Sequence, residues 1–211
     1  MAIRSALEEK LAEIENMAAR PRLLLHSCCA PCASYVLEYL IRYFSITLFF
    51  FNPNIATREE YFKRASELNK LPDVGEDRVE IIIYDYDTAV YINRAAPYAD
   101  EPEGGQRCRE CFMLRLEETA KTAAEGRYDY FTTTLSVSPH KDAGILNELG
   151  GRLAGEYKTE YLFSDFKKRD GYKRSIELSK QYSLYRQNYC GCAYSLMCRE
   201  KAFFSGGDER N

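Results

Sequence analysis

An α/β fold, a mainly parallel five-stranded sheet with helices on both faces, is what this sequence predicts. Three observations carry that reading. Short apolar runs alternate along the chain with longer amphipathic stretches, the order that βαβ units produce. The runs are compact and apolar, as strands covered on both faces are. The segments richest in chemistry follow directly on those runs, at the carboxyl ends of strands, where open α/β sheets build their sites.

Taken in order, residues 3–19 carry Ala, Leu and Ile at helical spacing. Arg22 to Ser27 reads as the first strand and runs straight into Cys28. Pro31 suits the first turn of a helix continuing through Tyr43. Ile46 to Phe51 is the second strand, ended by Asn52-Pro53-Asn54. Thr57 caps a helix running to about Lys70. Val79 to Tyr84 is the third strand, followed by a weak helix near Thr88–Ala95. A strong helix spans Glu110–Glu125, opened by the Cys108/Cys111 pair. Tyr128 to Thr134 is the fourth strand, and Pro139 starts a helix toward Leu153. Tyr161 to Phe163 is the fifth strand. Helices near Tyr172–Tyr182 and Tyr194–Phe204 close the chain. The expected organisation is an N-terminal helix over 1–20, one catalytic α/β domain over 21–200 and a C-terminal tail over 201–211.

The 211 residues suffice for a full hydrophobic core without disulfide staples. No stretch approaches the length of an apolar membrane span, and the charged N-terminus has no apolar signal core. The expected location is therefore cytoplasmic, with no membrane partner and with thiols kept reduced. In that setting the cysteines matter. Seven of the eight fall in three clusters: Cys28-Cys29-Ala30-Pro31-Cys32, Cys108-Arg109-Glu110-Cys111 and Cys190-Gly191-Cys192. Closely spaced thiolates suit one metal centre, and the spacing fits an iron–sulfur cluster and a four-cysteine zinc site alike. Cys29 and Cys32 also form a Cys-x-x-Cys, which at a helix start can be thioredoxin-like. The single glycine between Cys190 and Cys192 permits either a strained, labile disulfide or two ligands to a second metal with Cys32. Cys198 stands alone and reads as packing, and His26 as a satisfied core residue.

Net charge is −3, but residues 152–201 carry +5 and the rest −8. From Lys167 to Tyr194, Lys167, Lys168, Arg169, Lys173, Arg174 and Arg186 are interleaved with five tyrosines. Cations for phosphates and flat rings for bases fit RNA. The helix start beside His140 and Lys141 can hold a phosphate or orient a substrate. No phosphate-binding P-loop occurs, and no G-x-G-x-x-G, so a bound nicotinamide or flavin is not indicated. Asn52, Asn54, Ser136, His140, Lys141, Arg186 and Gln187 are candidates for substrate contact, each with polar reach beside a strand end or the third cluster.

Together, His-Ser-Cys-Cys-Ala-Pro-Cys (26–32), Phe-Asn-Pro-Asn-Ile (51–55), Cys-x-x-Cys (108–111), Thr-Thr-Leu-Ser-Val-Ser-Pro-His-Lys (133–141) and Tyr-Arg-Gln-Asn-Tyr-Cys-Gly-Cys-x-Tyr-Ser (185–195) are a specific combination. It resembles the cobalamin-independent epoxyqueuosine reductases of the QueH type, from about Arg22 to Met197. The resemblance implies a fold like the adenine-nucleotide α-hydrolase (HUP, PP-loop-like) sheets. It implies reduction of epoxyqueuosine to queuosine at the wobble position of tRNA, the final step of queuosine biosynthesis. It implies a 4Fe-4S cluster on Cys28, Cys29, Cys108 and Cys111, and a redox-active pair in Cys190 and Cys192. An additional mononuclear iron on Cys32 with one or both of that pair, and an external electron donor, belong to the same expectation. Two other readings compete: an RNA-binding module with a structural zinc, and an ATP-consuming tRNA thiolation enzyme. The second lacks its Ser-Gly-Gly-x-Asp-Ser loop here.

Overall fold

The computed structural model describes residues 3–75 and 78–197. Cys198, most of the last predicted helix and the tail over 201–211 lie outside them. Five parallel strands form one sheet in the order β3-β2-β1-β4-β5: β1 (Arg22–His26), β2 (Ser45–Phe50), β3 (Glu80–Ile83), β4 (Tyr130–Thr133) and β5 (Glu160–Tyr161). The chain builds outward from β1 to β3, then returns to the other side of β1 for β4. The switch point of the sheet therefore lies between β1 and β4, in register at Leu25 and Thr132.

Alternation of side chains along the strands divides the core in two. Leu23 and Leu25 of β1, with Ile46, Leu48 and Phe50 of β2, face one side. There they meet α1 (Ile3–Glu15), α2 (Ala30–Leu40), α3 (Arg58–Ser66) and α7 (Gly171–Gln181) through residues such as Leu11, Val36, Tyr61 and Leu178. Leu24, Phe49 and Phe131 face the other side. That face is covered by α5 (Gln106–Glu125) and α6 (Ala143–Tyr157) through Leu116, Ala120, Leu146 and Leu149. The short α4 (Ala89–Ala95) packs Tyr91 and Ala95 against Cys111 and Cys192. Leu7, Leu11 and Ile14 of α1 are buried in the first core, so the N-terminal helix is integral to that layer. Among the described residues no helix is long and apolar enough to cross a membrane.

Several boundaries differ from the sequence expectation for local reasons. The hydroxyl of Thr133 accepts from the backbone N–H of Leu135 at 3.1 Å, which turns the chain into a 3-10 segment over Thr134–Val137 and ends β4 one residue early. α5 begins at Gln106, so Cys108 and Cys111 lie inside its first turns. α6 begins at Ala143 and not at Pro139, because the Asp142 carboxylate caps it by accepting from Gly144 N (2.6 Å) and Ile145 N (3.2 Å). That helix start is capped by its own carboxylate, and His140 and Lys141 lie in the turn before it. Thr57 caps α3 as expected, accepting from Glu60 N at 3.2 Å.

Candidate metal centre

The first cysteine cluster sits at the switch point. β1 ends at His26, and Cys28 and Cys29 form the bend into α2, with Cys29 at its N-cap and Cys32 in its first turn. The Sγ atoms of Cys28, Cys29 and Cys32 lie within 4.8 Å of one another, with Cys28 and Cys29 3.8 Å apart. Three thiols this close are a metal-ligating donor set. Thr134, at the end of β4, locks Cys28 from across the seam: its hydroxyl accepts from Cys28 N at 3.1 Å and donates to Cys28 Sγ at 3.4 Å.

α5 carries the second pair. Gly104 N donates to Cys108 Sγ at 3.3 Å, while Cys111 is buried one turn above Arg115, whose Nη1 lies 3.9 Å from its sulfur. Among the described residues the thiols gathered within metal-ligating range of one another are the first trio, without Cys108 and Cys111. Arg115 is itself buried. Its Nη2 donates to Asn52 Oδ1, and Asn52 Nδ2 donates to Ser27 O at 2.9 Å. The arginine thus ties the second cysteine pair to the bend that carries the first. His26 is fully buried beside it, accepting from Thr133 Oγ1 at 2.8 Å and donating to Phe51 O at 3.1 Å. Burial and the Arg115 charge push its pKa down to about 3, so it is a neutral core residue.

The third cluster is held from three sides. Arg64 Nη1 donates to Cys190 O at 3.0 Å, Ala56 N donates to Gly191 O at 2.9 Å, and Cys190 N donates to Ser195 Oγ at 3.2 Å. Gly191 adopts φ +115°, and a Cβ there would lie 3.0 Å from Arg64 Nη1, so glycine is favoured. Ser195 N donates to Cys192 Sγ at 3.4 Å, and Lys141 Nζ donates to Cys190 Sγ at 3.7 Å. All seven cysteines of the three clusters are free thiols.

The electrostatics sort these sulfurs into two groups. Cys28 is held well below the ordinary thiol range by the thiols of Cys29 and Cys32, against burial, with help from Arg115 and Thr134. Cys190 is held low in the same way by the Cys192 thiol, against burial, and by the Lys141 charge. Their neighbours keep the proton. Cys29 is pushed up to about 12 by Cys28, and Cys32 and Cys192 are raised by the same kind of donation. Burial pushes Cys111 up to about 11 despite Arg115. Burial works against the Lys141 charge, but the Cys190, Cys111 and Cys28 sulfurs outweigh it and keep that ammonium protonated. Each thiolate therefore has a thiol partner and a nearby cation, a state ready for metal ligation or thiol redox chemistry.

One cavity of about 590 Å³ opens onto these groups. Cys28, Cys29, Cys32 and Cys190 line it, and so do six of the seven expected substrate-contact residues: Asn52, Asn54, His140, Lys141, Arg186 and Gln187. Ser136 does not. It is buried behind the rim, where its hydroxyl accepts from Phe166 N at 3.2 Å and its carbonyl from Lys167 N at 3.1 Å. Cys108, Cys111 and Cys192 are not among its lining residues. Two buried arginines of the lining escaped the sequence reading, Arg64 and Arg115, both 2% exposed. A signal existed for each: Arg115 follows Cys111, and Arg64 follows Glu60, at the four-residue spacing that puts side chains on one helical face.

Known proteins resemble this chain over most of its length. A family model described as epoxyqueuosine reductase QueH matches residues 23–198. A protein of that name from Streptococcus pyogenes serotype M1 is 42% identical over 195 residues, covering 89% of this chain and 75% of its own. Another from Staphylococcus epidermidis is 42% identical over 197 residues, covering 90% of this chain and 83% of its own. One from Thermotoga maritima is 35% identical over 186 residues, covering 85% of this chain and 92% of its own.

Proposed function

Since this chain belongs to the epoxyqueuosine reductase QueH family, we propose that it is the oxidoreductase that converts epoxyqueuosine to queuosine in tRNA, closing queuosine biosynthesis. The observation that carries the proposal is the convergence of the Cys28, Cys29 and Cys32 sulfurs with Cys190 on one cavity that also holds Arg64, Arg115, Lys141 and Arg186. Thiols supply redox or metal chemistry, and cations suit an RNA substrate.

The reaction breaks both carbon–oxygen bonds of the epoxide, forms a carbon–carbon double bond and releases the oxygen as water. It consumes two electrons and two protons, supplied in the end by an external electron donor. The converging thiols of Cys28, Cys29 and Cys32 fit a metal; on the resemblance, Cys28, Cys29, Cys108 and Cys111 are the proposed cluster ligands, and Cys32 with Cys190 or Cys192 the proposed holders of an additional mononuclear iron. When bound, a 4Fe-4S cluster supplies electrons one at a time, and a second iron offers a Lewis acid.

The chain's own groups have separable roles. Oxidation of the Cys190 thiolate and the Cys192 thiol to a disulfide releases the two electrons the epoxide takes up and one of the two protons, the second coming from the Lys141 ammonium or from water; while they ligate a metal, that route is closed. Lys141, protonated beside Cys190, stabilises the thiolate and holds a proton at the cavity wall. Arg115 and Thr134 fix the first cluster from behind. Arg186 and His140 stand at the cavity for contact with tRNA.

The test is anaerobic visible absorption with iron and sulfide quantified, beside turnover of tRNA carrying epoxyqueuosine. A brown protein with a broad band near about 400 nm, and a product nucleoside lighter by one oxygen, is the expected result. A colourless protein that holds zinc after anaerobic reconstitution overturns the reductase and favours an RNA-binding zinc module. Full turnover in Cys190→Ser removes the dithiol role.

A further inference from the structure

Among the described residues lining the cavity, a single one carries a carboxylate, Glu103. Arg64, Arg115, Lys141 and Arg186 share that lining, and each of these cations is already engaged. Arg64 pairs with Glu60 at 2.6 Å, Arg115 donates to Asn52, Lys141 donates to the Cys190 sulfur and Arg186 donates to Ser179. Glu103 is exposed and makes no hydrogen bond or ion pair with any described residue. Its acidic neighbours are committed elsewhere: Glu101 accepts from Gln106 N at 3.3 Å, and Glu110 accepts from Arg94 Nε at 3.0 Å.

The backbone presents Glu103 from a fixed base. Arg107, buried in the first turn of α5, donates through Nη1 to three carbonyls of the preceding chain: Tyr98 at 3.3 Å, Ala99 at 2.8 Å, and Glu101. Gly105 N donates to Pro102 O at 3.1 Å, and Gly104 N donates to Cys108 Sγ at 3.3 Å. The guanidinium carbon of Arg107 lies 4.3 Å from the centre of the Tyr194 ring, which packs with Cys192. The chain on either side of Glu103 is thus tied to the second and third cysteine clusters, while its own side chain stays unpaired at the cavity.

A free carboxylate in an otherwise cationic lining attracts a positive charge. A metal ion is the poorer fit, because the donor atoms gathered within ligating range are those of Cys28, Cys29 and Cys32, without Glu103. RNA phosphates suit the arginines and are repelled by Glu103. An alkylammonium fits: it offers charge and donor hydrogens together, and it needs a counter-charge to enter beside the cations.

We propose, resting on the reductase reading, that Glu103 is the counter-ion of the secondary ammonium that joins the substrate's epoxide ring to its base. In epoxyqueuosine that nitrogen is bonded to the ring carbon next to the epoxide, and aliphatic amines are protonated at neutral pH. An epoxide brought to the cysteines of the cavity therefore carries the ammonium in with it. There Arg64, Arg115, Lys141 and Arg186 repel it, and Glu103 supplies the carboxylate that offsets them. The N–H edge of the base also offers donors, but it is uncharged and lies on the far side of the base from the side chain. Glu103 thereby selects side chains linked through a basic nitrogen and fixes one end of the epoxide ring.

The test measures binding of two anticodon stem-loop RNAs to the metal-loaded protein, under anaerobic conditions at fixed salt. One carries the product side chain with its linking amine at the wobble position, and the other has an ether oxygen in place of that nitrogen. The wild type is expected to bind the amine RNA about tenfold tighter, the size of one hydrogen bond to a charged group. Glu103→Gln is expected to abolish that preference by weakening the amine RNA alone, with iron content at the wild-type level. Equal affinity of the wild type for the two RNAs overturns the proposal, and this comparison stands without the variant. An unchanged preference in Glu103→Gln overturns it too. So does equal weakening of both RNAs, which assigns the carboxylate to the base edge they share, or loss of iron, which assigns it to the metal. An amine preference without any reduction of an epoxide-bearing RNA overturns the reductase reading and leaves the ion pair standing. Reduction at equal kcat/KM for amine-linked and ether-linked epoxides does the reverse.

Discussion

Thr134 holds Cys28 with both ends of one hydroxyl, accepting from its backbone N–H at 3.1 Å and donating to its sulfur at 3.4 Å. The two residues are 106 positions apart and meet because β1 and β4 are neighbours in the sheet. A partner behind a metal-ligating thiol sets its direction and its basicity, so this contact bears on what the cluster can hold.

Thr134→Val keeps the shape and removes both bonds. The expected outcome is a folded protein whose iron is lost to a competing chelator about 10–100-fold more readily, with Thr134→Ser restoring retention. Chelator competition followed by absorbance measures it. Wild-type retention in the valine variant denies Thr134 this role.

Lys141→Met removes the cation 3.7 Å from Cys190. Turnover is expected to fall about tenfold or more, the equivalent of one pKa unit at the thiolate, while iron content stays at the wild-type level. Lys141→Arg should recover part of the rate. An unchanged rate in the methionine variant shows that Cys190 needs no counter-charge.

Gly191 and Gly104 both have positive φ, at +115° and +90°, but only Gly191 is crowded. Gly104→Ala meets nothing within 4 Å and should cost about 1–2 kcal/mol for the backbone alone. Gly191→Ala adds contacts at 3.0 Å with Arg64 Nη1 and 3.2 Å with Ile55 Cγ1, and should cost a further 1–3 kcal/mol or about that much in overpacking. Urea unfolding of both variants decides the matter: equal costs mean that Arg64 gives way.

Arg186 is exposed at the cavity, its Nη1 donating to Ser179 Oγ at 3.1 Å, and its guanidinium carbon lies 5.9 Å from the centre of the Tyr172 ring. Arg186→Ala is expected to weaken tRNA binding and to lower the slope of log affinity against log salt by about 1. Unchanged affinity at moderate salt refutes a phosphate contact.

Much of the fold was legible locally. Apolar runs of strand length, the Thr57 cap and the order of elements follow from neighbours in sequence, and the observed five parallel strands agree with them. The site was legible in part. His-Ser-Cys-Cys stands at a strand end because the apolar run stops there, and Asn52 and Asn54 follow the next strand for the same reason. The misplaced start of α6 shows the limit. Pro139 is a plausible first residue of a helix, but Asp142 competes for the same role with a carboxylate that satisfies two free N–H groups. Ser136 looked like a rim residue because it follows β4. The 3-10 turn after Thr133 rotates it inward.

By itself the sequence determined the alternation of elements, the three cysteine clusters and the family, since each is written in residues close together along the chain. Only the tertiary structure decided which sulfurs converge, that the Cys28 and Cys190 thiols are held below their ordinary range, and that Arg64 and Arg115 are buried at the site. Those outcomes rest on contacts such as Arg115 with Asn52, 63 residues apart, and Arg64 with Cys190, 126 apart. Strand order and helix packing create such contacts, and no local pattern encodes them.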